Sequence, residues 1–187
     1  MDKVIYDFGL PMGPFAMGDM AGLDVGWRIR KRQGGHAQRR LRYSPIADRI
    51  CEMGRFGQKT GAGWYRYEKG SRAPQPDPEI EALIVRTSKE GGIERRSVTD
   101  DEILKRCVYA LINEGARILE EGFALRASDI DIIYIYGYGF PVHRGGPMFY
   151  ADTVGPAAVY DDVCAFQKQH GELVAAGAAA GAPGARG

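Results

Sequence analysis

Between residues 99 and 121 apolar or small residues recur at steps of three and four: Leu104, Val108, Leu111, Gly115, Ile118 and Gly122. That period predicts a long helix with one buried face, and Lys105, Arg106, Glu114 and Arg117 fall mostly outside it. Thr99 and Glu102 stand three apart at its start, the spacing of a capping box that satisfies orphan N–H groups of the first turn. Gly122 is placed to end the helix, and the glycines in the stripe imply close approach of another backbone. Further helices are predicted over 14–31, 44–53, 77–90, 128–136, 147–154 and 156–169. Asp77-Pro78-Glu79 is a start signal, with a capping acid followed by proline at the first helical position, and Ser44-Pro45 and Gly155-Pro156 repeat the proline. The one strand-like segment, Gly63-Trp64-Tyr65-Arg66-Tyr67, follows a turn over 57–61. The fold class expected is mainly α.

Proline-rich residues 71–78 read as a linker, dividing the chain into a first part, 1–70, and a second, 79–173. The Ala/Gly tail, 174–187, lacks side chains able to anchor it to a core and is expected to be disordered. The two parts share a pattern. Gly13, Pro14, Asp19 and Gly22 recur as Gly146, Pro147, Asp152 and Gly155, each 133 positions on. Upstream, Gly9 and Pro11 recur as Gly139 and Pro141 after 130 positions, so the second copy carries three inserted residues. An internal duplication accounts for this economically. The second copy has its long helix at 99–121, whereas the first starts only eight residues before Gly9. The first repeat is therefore expected to be truncated, leaving Phe8, Met12 and Phe15 without their covering helix and favouring self-association through that face.

Composition narrows the function. Lys and Arg number 25 and Asp and Glu 24, a balance that argues against a nucleic-acid binder. With 44% hydrophobic residues and no run long enough for a membrane span, a soluble globular protein is expected. Cys51, Cys107 and Cys164 are odd in number and widely spaced, which fits neither a disulfide framework nor a CxxC metal site. A reducing, cytoplasmic location is the expectation. Local motifs assign no chemistry. Gly54–Thr60 has the wrong spacing for a phosphate-binding loop, and Gly61-Ala62-Gly63 leads into an aromatic segment instead of a helix. His36, His143 and His170 lack a neighbouring carboxylate in a triad-like order, although His143 is the one to test as a base. The basic run from Arg28 to Arg42 reads as a solvated helix end and loop. No catalytic, cofactor-binding or metal-ligating residue is assigned.

Longer stretches carry a resemblance. Phe8-Gly9-Leu10-Pro11-Met12-Gly13-Pro14-Phe15 with Asp19 and Gly22-Leu23-Asp24, and then Lys59–Tyr67, resemble the C-terminal domain of 3-hydroxyacyl-CoA dehydrogenases. Ile112-Asn113-Glu114-Gly115, Ser128-Asp129-Ile130-Asp131, Gly137-Tyr138-Gly139-Phe140-Pro141 and Arg144-Gly145-Gly146-Pro147 resemble the second helical repeat of multifunctional fatty-acid oxidation enzymes. The resemblance implies two tandem helical repeats packed on each other, in place of a contact that single-repeat relatives make between subunits. It also implies NAD-dependent oxidation of 3-hydroxyacyl-CoA in the intact enzyme. The NAD-binding Rossmann part, its His–Glu pair and an enoyl-CoA hydratase part would be partners lying outside this chain, which would hold no cofactor and be inactive alone. Asn113 matches a structural helix position. Met12, Pro14 and Phe15 become candidates to wall the acyl chain of an acyl-CoA substrate. A non-catalytic helical interaction module is the alternative.

Overall fold

A computed structural model describes residues 1–32 and 44–170. The tail at 174–187 and most of the basic run, with His36, lie outside the described residues. The described chain is mainly helical: α1 (Asp2–Phe8), α2 (Pro14–Ala21), α3 (Leu23–Arg32), α4 (Ile46–Glu52), α5 (Pro78–Glu90), α6 (Asp100–Glu120), α7 (Ala127–Tyr138), α8 (Pro147–Val154) and α9 (Pro156–His170). Asp77 caps α5 by accepting the Glu79 N–H at 3.0 Å, and Thr99 caps α6 by accepting that of Glu102 at 3.1 Å. The helix expected over 14–31 is instead two. Gly22, at φ 95° and ψ 114°, breaks it, a backbone shape that an L-residue rarely adopts. The strand expected at 63–67 is absent among the described residues; that segment makes isolated bridges, Gly57 to Ala62, Ala62 to Arg66 and Arg66 to Gln75.

The chain forms two compact units. Of the described residues, one comprises Met1, 3–11 and 98–170; the other comprises Asp2, 12–32 and 44–97. This division differs from the one expected at 71–78. Residues 71–78 fold into the second unit because Arg66 and Gln75 exchange backbone bonds of 2.9 and 3.0 Å, and the Arg55 guanidinium pairs with Asp77 at 2.6 Å. Asp77 is buried; burial pushes its carboxyl up, but the bonds from Arg55 and the Glu79 N–H, with the charges of Arg55 and Arg66, hold it below the usual carboxylate value. Ile50, Ile80 and Leu83 form this unit's core, joined by Leu23, Ile46, Trp64 and Ile84.

In the first unit α6 buries Val108, Tyr109 and Ile112 against Phe140, Ala151, Val159 and Val163. Gly115 allows α8 to approach, since a Cβ there would lie 2.5 Å from Met148 Sδ. Phe8 joins this core. It is only 5% exposed, edge-on to Phe140 at 5.7 Å and to Tyr150 at 5.2 Å, while the Arg144 guanidinium lies 4.2 Å from its ring centre and donates to its carbonyl. The expectation that Phe8 lacks a cover is therefore corrected: residues of the second repeat bury it.

The duplication survives in the geometry. Gly22 and Gly155 have nearly the same backbone angles, and each donates its N–H four residues back at 2.9 Å. Proline opens both α2 and α8. In both copies an aspartate on the preceding helix receives the helix N-terminus. Asp2 accepts from Phe15 N and Ala16 N at 3.1 and 2.8 Å; Asp131 accepts from Met148 N and Phe149 N at 2.7 and 3.2 Å. The glycine before each proline is required by this approach, because a Cβ would fall 2.3 Å from Asp2 Cα at Gly13 and 2.4 Å from Asp131 Cβ at Gly146.

Two measurements follow from this packing. Gly146→Ala meets both a positive φ and the Asp131 side chain, and should cost about 3 kcal/mol in urea unfolding. Gly54→Ala, also at positive φ but with open space around its Cβ, should cost about 1 kcal/mol. Asp77 has a lowered carboxyl value in the fold. Its stabilisation is therefore present above about pH 3.9, the unfolded value, and lost as pH falls through the folded one. Asp77→Asn should lower stability at pH 7 by about 2–4 kcal/mol and flatten the acid limb of the stability–pH curve.

Candidate functional site

The candidate wall residues lie where the chain enters α2. Met12 precedes the Gly13 cap, Pro14 is the first helical residue and Phe15 the second. All three are half-buried. The backbone here is fixed by Asp2, which holds the Phe15 and Ala16 N–H groups and accepts a bond from Tyr65 Oη at 3.2 Å. Phe15 stacks on Trp64 with ring centres 4.4 Å apart and planes tilted by 36°.

Trp64 is held in turn by Asp19 from the far end of α2. Asp19 is 1% exposed and accepts from Trp64 N at 2.9 Å, Tyr65 N at 3.0 Å and Tyr67 Oη at 3.0 Å. Burial pushes its carboxyl above the usual value, against the bonds from Trp64, Tyr65 and Tyr67 and the charge of Arg55. Burial and the Asp2 and Asp19 carboxylates push the Tyr65 phenol to about 12, and burial and Asp19 raise that of Tyr67. These phenols stay protonated at neutral pH and act as hydrogen-bond donors. Close contact explains the glycines: a Cβ on Gly57 would lie 2.1 Å from the Asp19 carbonyl oxygen, and one on Gly63 would lie 2.0 Å from Asp19 Oδ1. Lys59, in the 3-10 turn Gln58–Thr60, pairs with Asp24, whose carboxyl that bond lowers.

The structure thus brings Phe15 together with Trp64, Tyr65, Tyr67 and the carboxylates of Asp2 and Asp19. Sequence reasoning noted Asp19 as a repeated position but missed its acceptor role, and it missed Asp2 altogether. The signal available was the recurrence of Asp2 as Asp131, 129 positions on, close to the glycine offset. His143 is exposed in the short turn Val142–Arg144 of the other unit. Among the described residues no group of three His, Cys, Asp or Glu side chains is placed to hold a metal, and no helix is long and apolar enough to cross a membrane.

The sequence model of one family, described as 3-hydroxyacyl-CoA dehydrogenase, C-terminal domain, matches residues 1–67 and 103–180. The human peroxisomal bifunctional enzyme is 48% identical over 185 residues, covering 92% of this chain and 26% of that protein. A peroxisomal fatty acid beta-oxidation multifunctional protein of Arabidopsis thaliana is 39% identical over 177 residues, covering 92% of this chain and 24% of its own length. The chain thus spans about a quarter of the length of these relatives. Among solved structures, the dehydrogenase part of multifunctional enzyme 1 from C. elegans superposes with a TM-score of 0.72 at 32% identity, covering 96% of this chain and 40% of that one. The peroxisomal relatives overturn the cytoplasmic expectation: three widely spaced cysteines report a reducing environment and carry no address.

If Asp19 is the clamp between α2 and the aromatic turn, Asp19→Ala orphans two backbone N–H groups and the half-buried Tyr67 phenol. It should cost about 3–5 kcal/mol and release Trp64, read as a red shift and loss of structured near-ultraviolet signal. Asp19→Asn keeps one carbonyl acceptor and should cost less than half as much in the same unfolding assay.

Proposed function

This chain belongs to the family of 3-hydroxyacyl-CoA dehydrogenase C-terminal domains, and from that premise we propose that it forms the helical part of a peroxisomal enzyme oxidising 3-hydroxyacyl-CoA to 3-oxoacyl-CoA with NAD. The observation that carries the reading is the Met12–Phe15 turn. Its backbone is fixed by Asp2, and its aromatic ring is stacked on Trp64, so a half-exposed apolar edge is held on a rigid base. Such an edge suits one wall of a cleft for an acyl chain, with Met12 supplying an adaptable contact.

The chemistry itself is assigned to the partner part of the enzyme. NAD would accept the hydride there, beside a general base. The residues described here do not fit a dinucleotide. A pyrophosphate needs free N–H groups at a helix start after a strand and glycine turn. Here the starts of α2, α5, α6 and α8 are taken by Asp2, Asp77, Thr99 and Asp131, and no strand occurs among the described residues. The chain's own role is to bind and orient the acyl group and to keep water from the cleft. Its partners in this reading are the Rossmann and hydratase parts of the same enzyme.

A chimera tests this. With the aligned quarter of the human enzyme replaced by this chain, acetoacetyl-CoA-dependent NADH oxidation should persist, and the chain alone should show none. In the chimera, Phe15→Ala should raise KM for long-chain substrate by about tenfold and leave kcat with acetoacetyl-CoA nearly unchanged. Phe15→Leu should recover most of the loss. A folded but inactive chimera, or turnover by the chain alone, would overturn the proposal.

A further inference from the structure

Residues 89–101 form an unbroken exposed run. Within it α5 closes where the Ile93 N–H donates to the Ser88 carbonyl at 2.8 Å, and α6 opens where the Thr99 carbonyl accepts from the Ile103 N–H at 3.0 Å. Between those two bonds, residues 94–98 make no backbone–backbone hydrogen bond among the described residues. The Ser97 carbonyl takes a side-chain bond from its neighbour Arg96 at 3.1 Å. Arg95 and Arg96 stand side by side in this stretch. A protease must draw its substrate into an extended strand, so nicking concentrates where exposed backbone is not already bonded into helix or turn.

Exposure alone does not single out this stretch. Residues 68–76 are also exposed throughout and offer Lys69 and Arg72. That segment is tied down. The Ser71 N–H donates to the Glu68 carbonyl at 2.9 Å, Arg66 and Gln75 exchange backbone bonds, and Gln75 Nε2 donates to the Glu68 carboxylate at 3.0 Å. Cutting there requires local opening first.

The consequence of a cut after Arg95 or Arg96 is decided by α1. The chain passes from one unit to the other after Pro11 and returns after Ser97. Residues 3–11 therefore precede the cut in sequence but pack inside the unit built by 98–170. Ile5 and Phe8 are buried, Phe8 sits in the core with Phe140, and Arg144 Nε donates to the Phe8 carbonyl at 3.0 Å. The two Gly-x-Pro turns interlock there: a Cβ on Gly9 would lie 3.0 Å from Pro141, and one on Gly139 would lie 3.0 Å from Pro11.

We propose that the peptide bonds after Arg95 and Arg96 are a cleavage site for a protease of basic specificity, and that the cut protein stays together because residues 3–11 remain seated beside Phe140 and Arg144. Hydrolysis adds water across the amide. The hydroxyl goes to the arginine carbonyl carbon and a proton to the departing nitrogen, leaving a carboxylate and an ammonium. Both charges form on exposed backbone, so neither is buried by the fold. Processing here changes the covalent connection without releasing the 98–170 unit. The proposal uses neither Met12 nor Phe15 and stands apart from the acyl-wall reading.

Brief digestion of the full chain with trypsin, read by mass spectrometry, tests the site. A fragment beginning at Arg96 or Ser97 should appear before any cut at Lys69 or Arg72, and should be missing from Arg95→Gln with Arg96→Gln. In size-exclusion chromatography that fragment should co-elute with the one containing Phe8 and part from it in denaturant. Hydrogen exchange should find the amides of residues 5–8 as protected in the cut protein as in the intact one. After cutting, Phe8→Ala should raise the dissociation constant of the pieces by more than about tenfold, and Phe8→Leu should stay close to wild type. Earlier cutting at Lys69 or Arg72 overturns the site. Pieces that part without denaturant, a pair indifferent to Phe8→Ala, or loss of α1 protection on cutting overturns the seating, and the exchange result on the wild-type chain decides even where Phe8→Ala fails to fold.

Discussion

A carboxylate received at the start of a helix is the interaction on which both repeats depend. Withdrawing Asp131 from water, and Asp2 in part, is unfavourable by itself. Two backbone N–H groups, at the positive end of the helix that follows, offset that cost by supplying charge-assisted bonds of 2.7–3.2 Å. The same contact dictates its neighbours. Glycine must precede the proline, because any Cβ would collide with the aspartate's helix. Proline suits the first helical position, because its missing N–H would have had no partner there. The Gly-Pro pair visible in the sequence is thus the trace of an aspartate one helix earlier.

That trace was only half legible. Gly13-Pro14 and Gly146-Pro147 stand a constant interval apart and declare the duplication, and the apolar period of α6 declares its length and buried side. The aspartates did not declare themselves, because Asp2 precedes its glycine by 11 residues and Asp131 by 15. The inserted residues in the second copy, with the short turn Val142–Arg144, break the register a reader would use. The division at Gly22 was hidden for a different reason. The sequence predicts one helix over 14–31, and only the backbone angles of Gly22 reveal the break between α2 and α3.

Divergence between the copies follows from what each helix end must hold. In the first, Asp19 is buried because it receives the aromatic turn at 63–67. In the second, its counterpart Asp152 is exposed. A carboxylate keeps its place inside only where donors meet it. Trp64 N, Tyr65 N and Tyr67 Oη provide three in the first copy. One repeated position therefore carries a buried clamp in one copy and a solvated side chain in the other.

The consequence for function is a separation between rigidity and contact. Phe15 is not fixed by deep burial; its position comes from backbone bonds to Asp2 and from Trp64, itself bound by Asp19 at the opposite end of the same helix. Two carboxylates on either end of α2 thereby hold one aromatic stack. The apolar edge of Met12 and Phe15 remains half-exposed without loss of order, because hydrogen bonds fix it and do not require the side chains to be covered. Packing alone could not do this, since it positions a side chain only by enclosing it. Under the proposed function, this arrangement suits a surface that receives an apolar group, because polar bonds beneath supply the geometry and leave the apolar edge uncovered.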